Sequence, residues 1–165
     1  MEKILFQERQ QFRNYWTLLV YIPLIGLLIL FAFGIYEQVI QHRPFGDNPA
    51  PTPVLIGFSL LILLLVALFY FSALETIVTE EGIGYRWSPL QQKIKFYPWS
   101  SIQQLELFRY GFVGYGIRLT RNGVLHNVSG HDALKLTLTD KRSFCIGTQQ
   151  KELLEKTLRN LKQLV

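Results

Sequence analysis

The chain has very few side chains that bind metals or act as nucleophiles. It contains one cysteine, Cys145, and three histidines: His42, His126 and His131. A single cysteine excludes an intramolecular disulfide and a cluster of thiolate metal ligands. Because Cys145 lies in an apolar, strand-like run, we expect a buried and inert thiol. No histidine has a cysteine or glutamate nearby at a known ligand spacing, so we expect surface or turn positions for them.

Catalytic motifs are also missing. The sequence has no Gly-x-Ser-x-Gly elbow, no phosphate-binding loop and no zinc-binding helix. The acidic residues between the predicted strands fall in turns, where solvated carboxylates are common. We therefore expect no enzyme activity and no catalytic, cofactor-binding or metal-binding residues. An enzyme would require four separate side chains to converge on one deep pocket: Arg109, Arg118, His126 and His131.

Two long runs lack charge altogether. Residues 16–36 and 54–74 each span 21 positions without Asp, Glu, Lys, Arg or His. At about 1.5 Å per residue each run covers roughly 30 Å, the hydrocarbon thickness of a bilayer. Aromatic residues flank them, as is typical of the membrane interface. The runs predict two transmembrane helices, and since they hold no ionisable group for an ion or proton pathway, an anchor is favoured over a transporter. Gly26 and Gly34 are expected to allow close contact between the helices.

The distribution of basic residues predicts the orientation. Residues 1–15 carry Lys3, Arg9 and Arg13, basic residues follow the second span, and the proline-rich loop 37–53 has one arginine. The positive-inside rule then places both termini in the cytoplasm and the loop outside, in a multi-pass protein of the inner membrane. A cleaved signal peptide is the alternative, but the first run is too long and a second span follows it. With this orientation the sequon at Asn127 has no meaning.

After residue 74 the apolar residues recur with a period of two. Asn122-Gly123 predicts a tight hairpin turn, and an amphipathic helix follows Thr148 as N-cap, with Leu154, Leu158, Leu161 and Val165 along one stripe. Residues 75–165 therefore predict an α+β domain: an antiparallel β-barrel or sandwich of about seven strands with a C-terminal helix. The β-rich runs are residues 76–79, 83–87, 93–97, 102–108, 116–120, 124–128, 133–139 and 143–146.

Within this domain several local motifs resemble a known family. They are residues 79–83 (TEEGI), residues 99–102 (WSSI) leading into a strand, and residues 133–139 followed by residues 144–148 (FCIGT) and the helix. The pattern resembles the pleckstrin-homology-like domains of small bacterial two-span membrane proteins. One departure is Lys141, where a turn glycine is expected after Asp140. The resemblance implies a binding or scaffolding module, and it carries over no catalytic residue.

The glycine-rich stretch 111–116 is the best candidate for a recognition surface. Phosphate-binding loops open a helix, whereas a strand follows here, so an aromatic loop is favoured over a nucleotide site. With its neighbours it offers a surface for a protein partner or a lipid headgroup. The candidate residues are Arg109, Tyr110, Phe112, Tyr115 and Arg118.

The charge after residue 74 is mildly positive, with thirteen Lys and Arg residues against eight Asp and Glu. The basic residues are not clustered, so a nucleic-acid partner is not expected. The loop Glu80-Glu81-Gly82 is acidic, which disfavours phosphoinositide binding of the pleckstrin type. Weak contact with anionic lipid is expected through Arg86, Lys93 and Lys95.

Together these features favour a membrane-anchored module that binds protein partners or copies of itself. The alternative is an auxiliary subunit of a transporter or of an envelope enzyme complex. Co-purification of one larger membrane protein in a fixed ratio would favour that alternative.

Overall fold

The computed structural model describes residues 3–13, 15–111 and 114–163, with Trp16 described by its backbone alone. The chain forms two compact units. One combines Met1–Phe12 with Ser72–Val165, and the other is Arg13–Phe71. The second unit is therefore an insertion between two parts of the first.

The inserted unit is a helical hairpin. Helix α1 spans Tyr15–Val39 and helix α2 spans Thr52–Phe71. At one end the Arg13 guanidinium lies over the Tyr70 ring, and at the other the Thr52 hydroxyl donates a hydrogen bond to Gln38 Oε1. These contacts show that the helices run antiparallel. Both helices are long and apolar enough to cross a membrane.

The predicted second span, residues 54–74, extends too far. Helix α2 ends at Phe71, and Ala73 and Leu74 belong to the following strand, where neither is exposed. These two residues are apolar because they are buried in the protein core, so hydropathy alone merges the end of the helix with the start of the strand.

The two glycines of α1 do not hold the helices together, so that expectation is wrong. A methyl group at Gly26 would meet no atom within 4 Å, whereas one at Gly34 would lie 2.7 Å from the Phe45 ring. Phe45 comes from the connecting loop, and its ring meets Phe33 edge to face at 5.9 Å. Gly34 thus makes room for the loop rather than for α2.

The first sheet has four antiparallel strands in sequential order. They are β1 (Ile4–Gln11), β2 (Ala73–Thr79), β3 (Gly82–Ser88) and β4 (Lys95–Pro98). Strand β1 lies in the segment that sequence analysis separated from the domain as residues 1–15. It pairs with β2 from Ile4–Thr79 to Gln11–Ala73, across the whole helical insertion.

The second sheet has five strands in the order β5-β8-β9-β7-β6. All neighbours are antiparallel except β7 and β9, which are parallel. Within the described part of the chain no pairing joins the two sheets, so the barrel alternative is wrong and the α+β class is confirmed. The strands are β5 (Ile102–Arg109), β6 (Gly116–Thr120), β7 (Gly123–Asn127), β8 (Asp132–Leu138) and β9 (Ser143–Thr148), and a 3₁₀ turn at Trp99–Ser101 precedes them.

The main core contains side chains from both sheets and from helix α3, Lys151–Asn160. The helix contributes Leu154 and Leu158, while Val165 lies outside the described residues. The N-cap is Gln150 and not Thr148 as predicted. The Thr148 hydroxyl instead accepts a hydrogen bond from Gln150 N–H and donates one to Glu8.

Two tight turns set the register of the hairpins. The predicted Asn122-Gly123 turn is present, with Gly123 at φ +100° and paired with Thr120. Lys141, where a glycine was expected, has a φ of +68°. This left-handed conformation is unfavourable for lysine because its Cβ crowds the backbone.

Candidate interaction surface

Strand β6 is an edge strand that carries exposed apolar side chains. We call Ile117, Arg118 and Leu119 the β6 edge. Leu119 is 89% exposed and Ile117 is 56% exposed, although both are apolar. One side of β6 pairs with β7, and among the described residues no strand pairs with its other side. The edge therefore combines unpaired backbone groups with apolar side chains, which is the combination that accepts an added strand.

The other three edge strands are protected. Strand β4 has only four residues, begins with Lys95 and ends with Pro98, which has no N–H to donate. Strands β1 and β5 each contain an irregular register, at residues 4–6 and 102–104, and irregularities of this kind disturb an edge for pairing. The β6 edge has neither a proline nor a register shift, so it stands apart from the rest.

Asn127 makes hydrogen bonds to Tyr110, just before the glycine-rich stretch, and to Gly114 within it. This residue is fully buried, and its side-chain amide donates to Tyr110 Oη at 3.2 Å and to Gly114 O at 2.9 Å. The backbone N–H of Tyr110 also donates to His131 O at 2.7 Å. Burial raises the pKa of Tyr110. The amide of the sequon is thus used inside the fold, where it links Tyr110 to Gly114.

The five predicted interaction residues fall in different places. Arg109 lies at the end of β5 and Arg118 lies on β6, which are opposite edges of the same sheet. At about 4.8 Å per strand, four spacings separate them by roughly 19 Å. Arg118 Nε donates to the carbonyl oxygen of Tyr115, whose ring packs on the main core. Phe112 lies outside the described residues.

A buried polar cluster joins the two sheets, and it involves a histidine that was expected at the surface. His126 on β7 is only 7% exposed. Trp87 Nε1–H on β3 donates to His126 Nδ1 at 2.9 Å, and His126 Nε2 lies 3.2 Å from Tyr85 Oη. Because an indole N–H can only donate, Nδ1 is the acceptor, and the neutral ring carries its proton on Nε2. His126 thus donates to Tyr85.

Burial keeps this cluster neutral at physiological pH. It lowers the pKa of His126 to about 4, helped by the positive charge of Lys95. Burial also raises the pKa of Tyr85 to about 12, together with a hydrogen bond to Tyr97. The cluster therefore acts as a set of fixed hydrogen bonds between the sheets. Arg118 pairs in register with Leu125, a residue of the second core. Neighbouring residues of a strand point to opposite faces of the sheet, so Leu125 and His126 lie on opposite faces. The side chains of Arg118 and His126 therefore do not converge.

A second buried polar contact attaches β1 to the end of β9. The Glu8 carboxylate accepts hydrogen bonds from Thr148 Oγ1 and from Gln149 N–H, both at 2.7 Å. Gln10 Nε2 donates to Gly147 O at the same distance. Burial raises the pKa of Glu8, and its hydrogen bonds act in the opposite direction. These side chains hold the N-terminal strand against a segment about 140 residues away in sequence.

Other predicted residues are used internally. Cys145 is buried as predicted, and burial raises its pKa to about 11, which keeps the thiol protonated. Arg86, one of three expected lipid contacts, donates to Glu75 Oε2 at 2.6 Å and to Gln92 O. Lys93 and Lys95 are exposed. In the described ranges no group of three or more His, Cys, Asp or Glu residues is placed to hold a metal ion.

We compared the chain with known proteins. No protein-family model, no curated protein and no solved structure matches this chain.

Proposed function

We propose that this protein is a membrane-anchored binding module without catalytic activity. In this proposal the helical hairpin spans the inner membrane, and the two-sheet domain binds an extended segment of a protein partner along the β6 edge. The observation that carries it is the exposure of Leu119 and Ile117 on an unprotected edge strand.

Insertion in a membrane is supported by the exposure of the helices. Within their most apolar windows only 6% of α1 and 11% of α2 is buried in the protein. A core helix of a soluble protein buries its apolar face against its own fold. These helices instead expose apolar side chains all round, and a bilayer would cover that surface.

The position of β1 argues against a cleaved signal sequence. Strand β1 precedes α1 in the chain, and Phe6, Glu8 and Gln10 are buried in the two-sheet domain. Cleavage after α1 would separate this strand from the rest of the protein. The domain would then lose both an edge of its first sheet and the partners of Thr148 and Gln149.

The same pairing supports a common side for the N-terminal strand and the rest of the domain. In the order of elements along the chain β1 precedes α1, and β2, the neighbour of β1 in the sheet, follows α2. If the hairpin spans the bilayer, both of its ends lie on the side where this sheet forms. The basic residues in the flanks favour the cytoplasm as that side.

The chemistry of the β6 edge supports the class of partner that we propose. An added strand would form backbone hydrogen bonds along β6, with its apolar side chains beside Ile117 and Leu119. Arg118 is exposed on the opposite face of β6 and offers a positive charge. We therefore expect an extended segment with alternating apolar and acidic residues.

The proposal that the domain is pleckstrin-homology-like rests on the order of its elements. Strands in two sheets followed by a C-terminal helix support it. The additional N-terminal strand and the parallel pairing of β7 with β9 are features that such an assignment must accommodate.

The test is site-specific photo-crosslinking in intact cells with a photoreactive residue at position 119. We expect a crosslinked protein partner, and its yield should fall at least about tenfold when Ile117 is also changed to Lys, since a charge would be forced against the apolar strand. The matched control places the photoreactive residue at Leu153, an exposed leucine on α3. No partner should be captured there.

The mass and identity of the crosslinked product distinguish the possible partners of the β6 edge. A product of twice the mass of the chain would identify a second copy in place of a separate partner. One larger membrane protein captured in a fixed ratio would assign the role of auxiliary subunit. Equal products from positions 119 and 153, or no product at all, would contradict binding at the β6 edge.

A further inference from the structure

The helical hairpin contains a cavity at the end where α1 begins and α2 finishes. Its volume is about 580 Å³, within the range of roughly 300–1,000 Å³ that is typical of small-ligand sites. The lining combines one cation, hydroxyl groups and apolar surface, and it includes no acidic residue. It consists of Arg13, Tyr15, Thr17, Leu18, Tyr21 and Tyr70.

Arg13 is the charged group of this cavity. Its guanidinium carbon lies 4.4 Å from the centre of the Tyr70 ring, which holds the planar group over an aromatic face. Among the described residues, no carboxylate forms an ion pair with it, although Arg9, Arg86, Arg142 and Arg159 each have such a partner. Arg13 is exposed, so its N–H donors remain accessible to an external anion.

The position of the cavity indicates which anion it takes. If α1 and α2 span the membrane as proposed above, Arg13 lies four residues before the first candidate span, Thr17–Val39, and Tyr70 lies at the end of the second, Thr52–Phe71. The headgroup layer of the bilayer occurs at this level, where arginine and tyrosine are favoured. Leu18 and the tyrosine rings provide apolar surface for the first part of an acyl chain.

We propose that this cavity binds the phosphate of an anionic phospholipid, with the Arg13 guanidinium paired to the phosphate and Tyr70 holding the guanidinium in place. A planar guanidinium matches two phosphate oxygens at once, which makes it the preferred partner of this group. The site is separate from the β6 edge, and it depends on the membrane insertion proposed above.

The experiment uses the full-length protein in detergent and measures lipid binding by native mass spectrometry. Phosphatidylglycerol and phosphatidylcholine are compared, since both contain a phosphate diester but only the first has a net negative charge. We expect tighter binding of phosphatidylglycerol, and Arg13→Gln should weaken it about tenfold. Arg13→Lys keeps the charge without the planar geometry and should give an intermediate loss.

Arg43→Gln is the matched control. It removes one arginine from the same unit at the other end of the hairpin, within the loop 37–53. This variant should bind phosphatidylglycerol like the wild-type protein. Tyr70→Leu should weaken binding while retaining the charge of Arg13, because it removes the ring that orients the guanidinium.

Different results would overturn the proposed lipid site and the proposed membrane insertion. Alkaline carbonate treatment of cell membranes should leave the wild-type protein in the pellet, and its release would overturn both insertion and the site. A protein that stays in the membrane but binds phosphatidylglycerol equally well with and without Arg13 would overturn the lipid site alone. Displacement of the lipid by millimolar inorganic phosphate would assign the cavity to free phosphate and overturn the lipid assignment.

Discussion

Protonation of His126 should destabilise the two-sheet domain. The neutral ring accepts a hydrogen bond from Trp87 at Nδ1 and donates from Nε2 to Tyr85. A second proton can only be placed on Nδ1, where it would point at the indole N–H and break the bond between β7 and β3. The resulting charge would also be buried, with Lys95 close enough to repel it.

The shift in pKa gives the magnitude and the sign. Burial lowers the pKa of His126 from 6.5 to about 4 in the folded protein. The unfolded chain therefore binds one more proton than the folded protein between these two values. The free energy of unfolding falls as the pH drops through this window. At 1.36 kcal/mol per pH unit the total loss by pH 4 is about 3 kcal/mol, a large part of the 5–15 kcal/mol typical of a domain.

The assay is urea unfolding of the full-length protein in detergent between pH 7.5 and 4, followed by tryptophan fluorescence. His126→Gln is the informative variant, because its amide has one acceptor and one donor and cannot titrate in this range. The stability of the variant relative to the wild-type protein should rise by about 3 kcal/mol from pH 7 to pH 4. Glu8 has a raised pKa and the opposite pH dependence, and the difference between the two proteins cancels its contribution.

His131→Gln is the control for the loss of one imidazole, since His131 is exposed in a turn. This variant keeps His126 and should therefore keep the loss of stability that protonation of His126 produces. Parallel curves for the wild-type protein and for His126→Gln over the whole range would refute the argument, because they would mean that His126 titrates alike in the folded and unfolded states.

Three further substitutions test the turns and the attachment of β1 by the same urea assay. Lys141→Gly should stabilise the domain by about 0.5–1 kcal/mol, since φ is +68° there, whereas Lys135→Gly inside β8 should destabilise it. Gly123→Ala should lower the free energy of unfolding by at least about 2 kcal/mol, because the new Cβ would lie 2.3 Å from Ser143 O. Gly116→Ala is the control, since Gly116 has the same φ but open space around it, and it should lower the free energy of unfolding clearly less. Equal losses would exclude the clash. Glu8→Ala should cost about 3 kcal/mol by leaving Thr148 Oγ1–H and Gln149 N–H without an acceptor, and an unchanged urea midpoint would contradict the proposed role of β1.

Much of the fold follows from local patterns in the sequence. All eight β-rich runs after residue 74 correspond to strands, from β2 to β9, and the amphipathic stripe around Leu154 and Leu158 corresponds to α3. These elements have one apolar face, so their period of two or of 3.6 residues is visible. The order of the strands in each sheet was not predictable in the same way, because pairings such as β7 with β9 depend on contacts between distant residues.

The candidate site was predicted less well, for a physical reason. Arg109 and Arg118 were predicted to share one surface because of their charge, but the structure places them on opposite edges of one sheet. His126 was expected at the surface or in a turn because it has no cysteine or glutamate nearby at a known ligand spacing. Its burial depends on Trp87 and Tyr85, two partners on another sheet about 40 residues away in sequence. The local signal in the sequence was the presence of Tyr85 and Trp87 at alternate positions of β3, since both have groups that can form a hydrogen bond with a buried histidine.

Strand β1 shows most clearly why long-range contacts decide the organisation of this protein. On its inward face Phe6, Glu8 and Gln10 are buried, and so is Phe12 just after the strand, so that two polar side chains lie between two apolar ones. From sequence alone the Glu8 carboxylate is expected at the surface, because its donors at Thr148 and Gln149 are distant in the chain. Those donors offset the cost of burying Glu8 only when the residues after the helical insertion have formed both sheets. The N-terminal residues are therefore part of the domain that follows α2, and the helical hairpin is an insertion in the chain of that domain.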